Sequence, residues 1–188
     1  MRNDLFVGKR VRLCAVEVQA MAGATSKWSR DSEYMRLGDS GAARTFSKRT
    51  TREWFDKDLE KERPDQFPFA IHTLEDDHLI GDVGLGDVQW THSDAFVGIG
   101  LGERAYWDKG YGTDAMQVIL RYAFTELNLH RVSLNVFEYN PRAMKSYEKA
   151  GFSYEGKMRK MLHRDGKRWD IVFMGILREE WEKLNGCK

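Results

Sequence analysis

The sequence is poor in cysteine, in net charge and in long apolar runs, and each shortage removes a class of function. Its two cysteines, Cys14 and Cys187, stand near opposite ends of the chain, so neither a disulfide framework nor a cysteine zinc site is expected. Lys and Arg number 30 against 29 Asp and Glu, so no global field draws the chain to nucleic acid or to an anionic membrane. No stretch approaches the ~20 apolar residues of a membrane span, and the opening MRNDLFVGKRVRL lacks the apolar run of a signal peptide. A soluble protein of a reducing cytoplasm is expected. The histidines His72, His78, His92, His130 and His163 lack ligand spacing, so no metal site is read. A Walker loop is absent, and Glu103 stands where a dinucleotide fingerprint running from Gly98 needs its third glycine.

What remains is a chain of 188 residues, 41% hydrophobic, which suits one domain with a sizeable core. VRLCAV alternates as a strand, EVQAMAGATSKW reads as a helix, and SEYMRLGDSGAARTFSKR as a long connecting loop. Thr50 and Glu53 have capping-box spacing, so TREWFDKDLEKER reads as a helix that Pro64 ends. QFPFAIHTL, HLIGDVGLGDVQW and DAFVGIGLG follow as an antiparallel meander. A helix over 111–127, the strand RVSLNVF, a helix from Asn140-Pro141 and a hairpin hinged on Asp165-Gly166 complete the chain. The strand ending near Leu101 and strand 131–137 flank a crossover helix and so lie parallel. The expected class is α/β (α+β): a mixed, mostly antiparallel sheet of about seven strands with about four helices, spanning 1–188 as a single domain.

The turn YWDKGYGTDA places Gly110 and Gly112 where a strand hands over to a helix. Backbone amides over 109–113, with the helix dipole behind them, make an anion site suited to a pyrophosphate; the alternative is a tight turn and nothing more. In NPRAMKSYEKAGF, residues 140–152, Asn140 suits an N-cap, Pro141 the first helical position and Gly151 the C-terminal cap. Tyr147 lies close to two turns beyond Asn140, on a face shared with Ala143. Alone it reads as a packing tyrosine; with its neighbours it reads as a site.

These segments resemble the GCN5-related N-acetyltransferase (GNAT) family, in particular its ribosomal-protein N-terminal acetyltransferases and spermidine acetyltransferases. The resemblance rests on LIGDVGL, YWDKGYGTDA, LHRVSLNVFEYN, NPRAMKSYEKAGF and YEGKMRKMLHRDGKRWDIVFMGIL, most of residues 67–177 in the family's order. Trp107 occupies the Arg/Gln position of the family's turn, as is usual in that subgroup. The first 66 residues resemble the family only in layout, as its substrate side. The resemblance implies acetyl-CoA wedged where two parallel strands splay apart. Lys109, Gly110, Tyr111, Gly112 and Thr113 would then hold its pyrophosphate, beside Trp107. Leu101 and Gly102 would pair with the pantetheine arm, Asn140 and Ala143 would line its channel, and Tyr147 would stand beside the sulfur. Similar proteins commonly form dimers through their terminal strands, so a homodimer is possible.

Acyl transfer to an amine needs a base, an oxyanion site and an acid for the departing thiolate. Tyr147 is the candidate acid. Asn135, polar in mid-strand, is a candidate to hold a water or the acetyl carbonyl. Glu103, Glu138, His92 and Asp94 are open alternatives for the base, as is a water chain. Trp28, Phe46, Trp54, Trp90 and Trp169 offer apolar walls for the acceptor, although the helical spacing of Trp54 favours the core. Trp28, Trp90 and His92 are assigned to the acceptor site, with Asp170 meeting its ammonium. The acceptor is a small amine, a polyamine or a protein N-terminus, and the competing reading is a noncatalytic acyl-CoA sensor.

Overall fold

A computed structural model of the protein describes residues 4–59 and 63–186. Alternating apolar positions build seven strands: β1 (Val11–Cys14), β2 (Phe67–Thr73), β3 (Leu79–Gln89), β4 (Asp94–Leu101), β5 (Arg131–Phe137), β6 (Ser153–Arg164) and β7 (Lys167–Leu177). They form one sheet in the order β1-β2-β3-β4-β5-β7-β6. All neighbours run antiparallel except β4 and β5. That parallel pair is short: it holds at Asp94 with Arg131, Ala95 with Val132 and Phe96 with Ser133, and no further. Beyond Phe96 the strands part, β4 staying on β3 up to Leu101 and β5 staying on β7 up to Phe137. The sheet therefore opens at its centre.

Six α-helices occur among the described residues: α1 (Val18–Trp28), α2 (Ser32–Gly38), α3 (Lys48–Leu59), α4 (Tyr111–Thr125), α5 (Pro141–Ala150) and α6 (Arg178–Asn185). The largest, α4, carries Ala115, Met116, Ile119, Leu120, Ala123 and Phe124 almost fully buried, so one face of it is the heart of the core. Asp114 anchors its start: one carboxylate oxygen accepts from the amide of Lys9 at 3.0 Å, the other from Arg10 at 2.7 Å and Val11 at 3.0 Å.

Four sequence expectations change. The segment from Ser32, expected as a loop, begins with the helix α2, because the Asp31 carboxylate accepts from the amides of Glu33 and Tyr34 and the Tyr34 ring packs edge-on to Trp28. Helix α3 starts before Thr50, since Ser47 Oγ is its cap and accepts from the Thr50 amide at 3.1 Å; Glu53 instead pairs with Arg49. Its expected continuation through 60–62 lies outside the described residues, as does Cys187. Trp54 is about half exposed, edge-on to Phe46, and is not core. Helix α6 was not anticipated from the sequence; it attaches through Trp181, whose ring lies 5.4 Å from Phe124. No described helix is long and apolar enough to cross a membrane.

Candidate active site

The parting of β4 and β5 opens a cavity of about 910 Å³. Strands β3 and β4 supply its floor, α2 and α5 its walls, and the turn before α4 one end. That turn is built as an anion site. Asp108 and Gly110 both take left-handed conformations, φ +58 and +85, on either side of Lys109. Gly110 is the residue before α4, and no side chain caps the helix, so its first amides stay available to a ligand. A methyl added at Gly112 would lie 3.4 Å from Leu101, so a larger side chain there would fill the space between turn and strand. Thr113 spends its hydroxyl on Ser146 at 2.8 Å, which locks α4 to α5.

Trp107 closes this end. Its indole N–H donates to the Leu101 carbonyl at 2.7 Å, and its ring lies between the guanidinium groups of Arg104 at 4.8 Å and Arg142 at 3.8 Å. Arg142, Lys145 and Lys149 of α5 give the cavity lining its positive charge. The Gly102 amide donates to the carbonyl of Ile80, and a methyl on Gly102 would overlap the Trp28 ring. The Leu101 carbonyl and Gly102 amide are thus both engaged within the protein. The open edge of β4 falls just before them, on residues 97–100, which β5 has left.

On α5, Asn140 caps the helix by accepting from the Ala143 amide at 3.1 Å, and both residues line the cavity. Tyr147 lines it too, half-buried, with its ring against Phe152 and no hydrogen-bond partner for its hydroxyl among the described residues. Burial pushes the Tyr147 phenol up to about 12, so it stays protonated through the working pH range. Asn135 is exposed and sits at the rim with Gly38 and Asp39.

The expected acceptor residues separate. Trp28 is buried beneath the site, its N–H donating to Glu103 at 3.0 Å, and forms no wall of the cavity. Trp90 and His92 lie outside the cavity, near the start of β4, roughly 20 Å along the strand from Leu101 at about 3.4 Å per residue. Asp170 is buried and spent, accepting from the Lys160 amide at 2.8 Å and from Lys157 at 2.5 Å. Of the expected aromatic walls, only Phe46 lines the cavity. Among the candidate bases, Asp94 and His92 share that far end. Burial raises the Glu103 carboxyl, but hydrogen bonds from Lys27 and Trp28 outweigh this and hold it below the ordinary range. Glu138 accepts from the Asp170 amide at 2.9 Å.

Sequence reasoning missed Asp82, which lines the cavity on β3 opposite Gly100 of β4. Its side chain is exposed to the open cavity, yet the protein crowding its carboxyl desolvates it enough to raise it to about 6, so it is mostly ionised at pH 7. The one signal was a lone acid amid the glycines of LIGDVGLG.

An open, splayed sheet with an uncapped helix end at one side and a protonated phenol within it defines an acyl-CoA-dependent transferase fold. The family model described as an acetyltransferase (GNAT) domain matches residues 10–153. The chain belongs to the GNAT family and is an N-acetyltransferase. It is 37% identical over 123 residues to a probable N-acetyltransferase, YjcK, of Bacillus subtilis, covering 65% of this chain and 67% of that protein. It is 30% identical to the putative ribosomal N-acetyltransferase YdaF of the same species, over 71% of this chain and 72% of that protein. In fold it matches the spermidine N-acetyltransferase of Vibrio cholerae, solved in complex with CoA and spermine, with a TM-score of 0.79 at 24% identity over 91% of this chain and 97% of that one.

Proposed function

We propose that the protein transfers the acetyl group of acetyl-CoA to a primary amine by direct attack, with Tyr147 as general acid. The observation that carries this reading is the polarity of one cavity. The uncapped start of α4 and the cations of α5 line one side, with Asp108 beside them in the turn; the carboxylates Asp39, just after α2, and Asp82 of β3 line the other, and Tyr147 faces the space they share.

Acetyl-CoA supplies an activated acyl group as a thioester. The amides of Lys109 to Thr113 bind its pyrophosphate, where Gly110 and Gly112 keep side chains out of the way. Trp107 and Arg142 border that site, and Asn140 and Ala143 line the channel beside the open edge of β4. The free amides of that edge, on residues 97–100, serve as oxyanion donors. Tyr147 gives its hydroxyl proton to the departing sulfur, an uphill transfer from a phenol at about 12 to a thiolate whose acid lies at about 8.5, which the amine's second proton offsets by restoring the phenol. Asn135 orders a water at the rim. The acceptor is a small amine, a polyamine or a protein N-terminus, met in the cytoplasm. Pairing of two chains through β6 has support in the exposed Tyr154, Met158 and Met161 on that edge strand.

The test is thiol release from acetyl-CoA by the purified protein against polyamines, aminoglycosides, amino acids and short peptides. Amine-dependent release, slowed 10²-fold or so in Tyr147→Phe with little change in acetyl-CoA KM, supports the reading. Equal turnover by Tyr147→Phe removes the tyrosine from the mechanism.

A further inference from the structure

The floor of the cavity on the α2 side is unusually bare. Cross-strand pairing sets Gly84 against Gly98 and Asp82 against Gly100, with Gly86 beyond. A methyl added at Gly86 or Gly98 would meet nothing within 4 Å, so packing does not demand glycine there; the result is open room. Gly100 differs. A methyl on it would lie 3.0 Å from the Tyr34 hydroxyl and 3.3 Å from Asp82 Oδ1, so both oxygens close over the same point. No hydrogen bond joins them to each other or to another described residue. The buried carboxylates among the described residues, Asp114 and Asp170, are fully engaged. Asp82, by contrast, is exposed to the cavity's solvent and its carboxylate has no partner among the described residues.

The groups around it leave its charge unanswered. Strands β2 and β4 present Ala70 and Gly100 across from it, and α2 presents Tyr34, whose phenol is raised by burial and by the Asp82 charge. The other titratable groups on that cavity lining are the acids Asp39 and Asp108, Tyr106, and on α5 Arg142, Lys145, Tyr147 and Lys149. Among the described residues no cation is paired with Asp82. An ammonium is the ligand this arrangement lacks.

We propose that Asp82 receives the acceptor's ammonium group and removes its proton, the amine being carried on a slender, unbranched chain that the glycine floor admits. This rests on the amine-acetyltransferase reading above. The ammonium N–H donates to Asp82 and to the Tyr34 oxygen. One N–H bond breaks, its proton passes to an Asp82 oxygen, and the electron pair stays on nitrogen as the nucleophile. The second amine proton leaves as the amide forms and returns Tyr147 to its neutral form, so each turnover releases one net proton, which Asp82 hands to water. Desolvation suits Asp82 to this work, since a carboxyl titrating near 6 is a stronger base than an ordinary aspartate and is still ionised at pH 7.

The experiment compares the wild type with Asp82→Asn and Asp82→Glu, using n-butylamine, spermidine and a short peptide amide as probes across pH 5 to 9. The Asp82 side chain makes no hydrogen bond or ion pair among the described residues, so Asp82→Asn should fold, and a thermal melt confirms it. The expected result is a fall of about 10²-fold in kcat/KM for Asp82→Asn, loss of the acid limb near pH 6, and partial recovery in Asp82→Glu. In the protein without acetyl-CoA, the carboxyl carbon of Asp82 should titrate near 6 by NMR and move down when the accepted amine is added. Acetyl transfer that keeps its rate and acid limb in Asp82→Asn overturns this inference alone. A wild type that acetylates no amine overturns the amine reading, and this inference with it.

Discussion

The indole N–H of Trp107 donates to the carbonyl of Leu101, so the turn that precedes α4 is tied to the last residue of β4. The same ring is held between Arg104 and Arg142, and Arg104 in turn pairs with Asp31, the cap of α2. One side chain thereby sets the distance between the anion site and the strand edge. Trp107→Ala should lose about 1–2 kcal/mol of hydrogen bonding and cation–π contact, raising the acetyl-CoA KM roughly tenfold with a smaller change in kcat. Steady-state kinetics at saturating acceptor checks this, and an unchanged KM would remove Trp107 from the donor site.

Gly102 lies against the Trp28 ring, where any β-carbon overlaps it. Gly102→Ala must displace a buried indole and with it the Trp28 hydrogen bond to Glu103. A loss of about 1–3 kcal/mol follows for overpacking of this kind. Chemical denaturation measures it, and a neutral substitution would show that the α1 layer yields more readily than its packing implies.

Asp114 answers three backbone amides with one carboxylate. Asp114→Ala leaves those amides without their acceptor beneath the start of α4, at a cost of about 2–4 kcal/mol. Asp114→Asn keeps one acceptor oxygen and should recover part of it. Urea unfolding of the two variants tests the order Ala below Asn below wild type.

Asp82 gives stability a pH dependence of definite sign. Its carboxyl titrates near 6 in the folded chain and near 3.8 when unfolded, so the folded state binds the proton more tightly between those values. That contribution is fully present below about pH 4 and is lost as pH rises through 6. Asp82→Asn has no such charge to desolvate. It should melt a few degrees above the wild type at pH 7 to 8, by less than the full shift because cavity water screens the group, and the difference should vanish near pH 4. A difference that grows on acidification would show that Asp82 is instead stabilised by a partner.

Local chemistry was legible in the residue order. The Asn140-Pro141 start and Gly151 end of α5 are written within a dozen residues, and so are the left-handed Gly110 and the alternation of β3 and β4. Helix α2 was not, because Gly and Ser after Met35 read as loop while the Asp31 cap and the Trp28 contact that hold it draw on separate parts of the chain. The acceptor side failed for the same reason: Trp90, His92 and Asp170 have suitable chemistry but stand on the wrong strand ends or are already bonded.

By itself, then, the sequence determined the periodicities, the caps and the uncapped glycine turn, since these depend on neighbours within a few residues. Only the tertiary structure decided where β4 leaves β5 and that Asp82 meets Gly100 and Tyr34 over open space. Both depend on register between distant segments, and a shift of one residue would turn Asp82 from the cavity into the core.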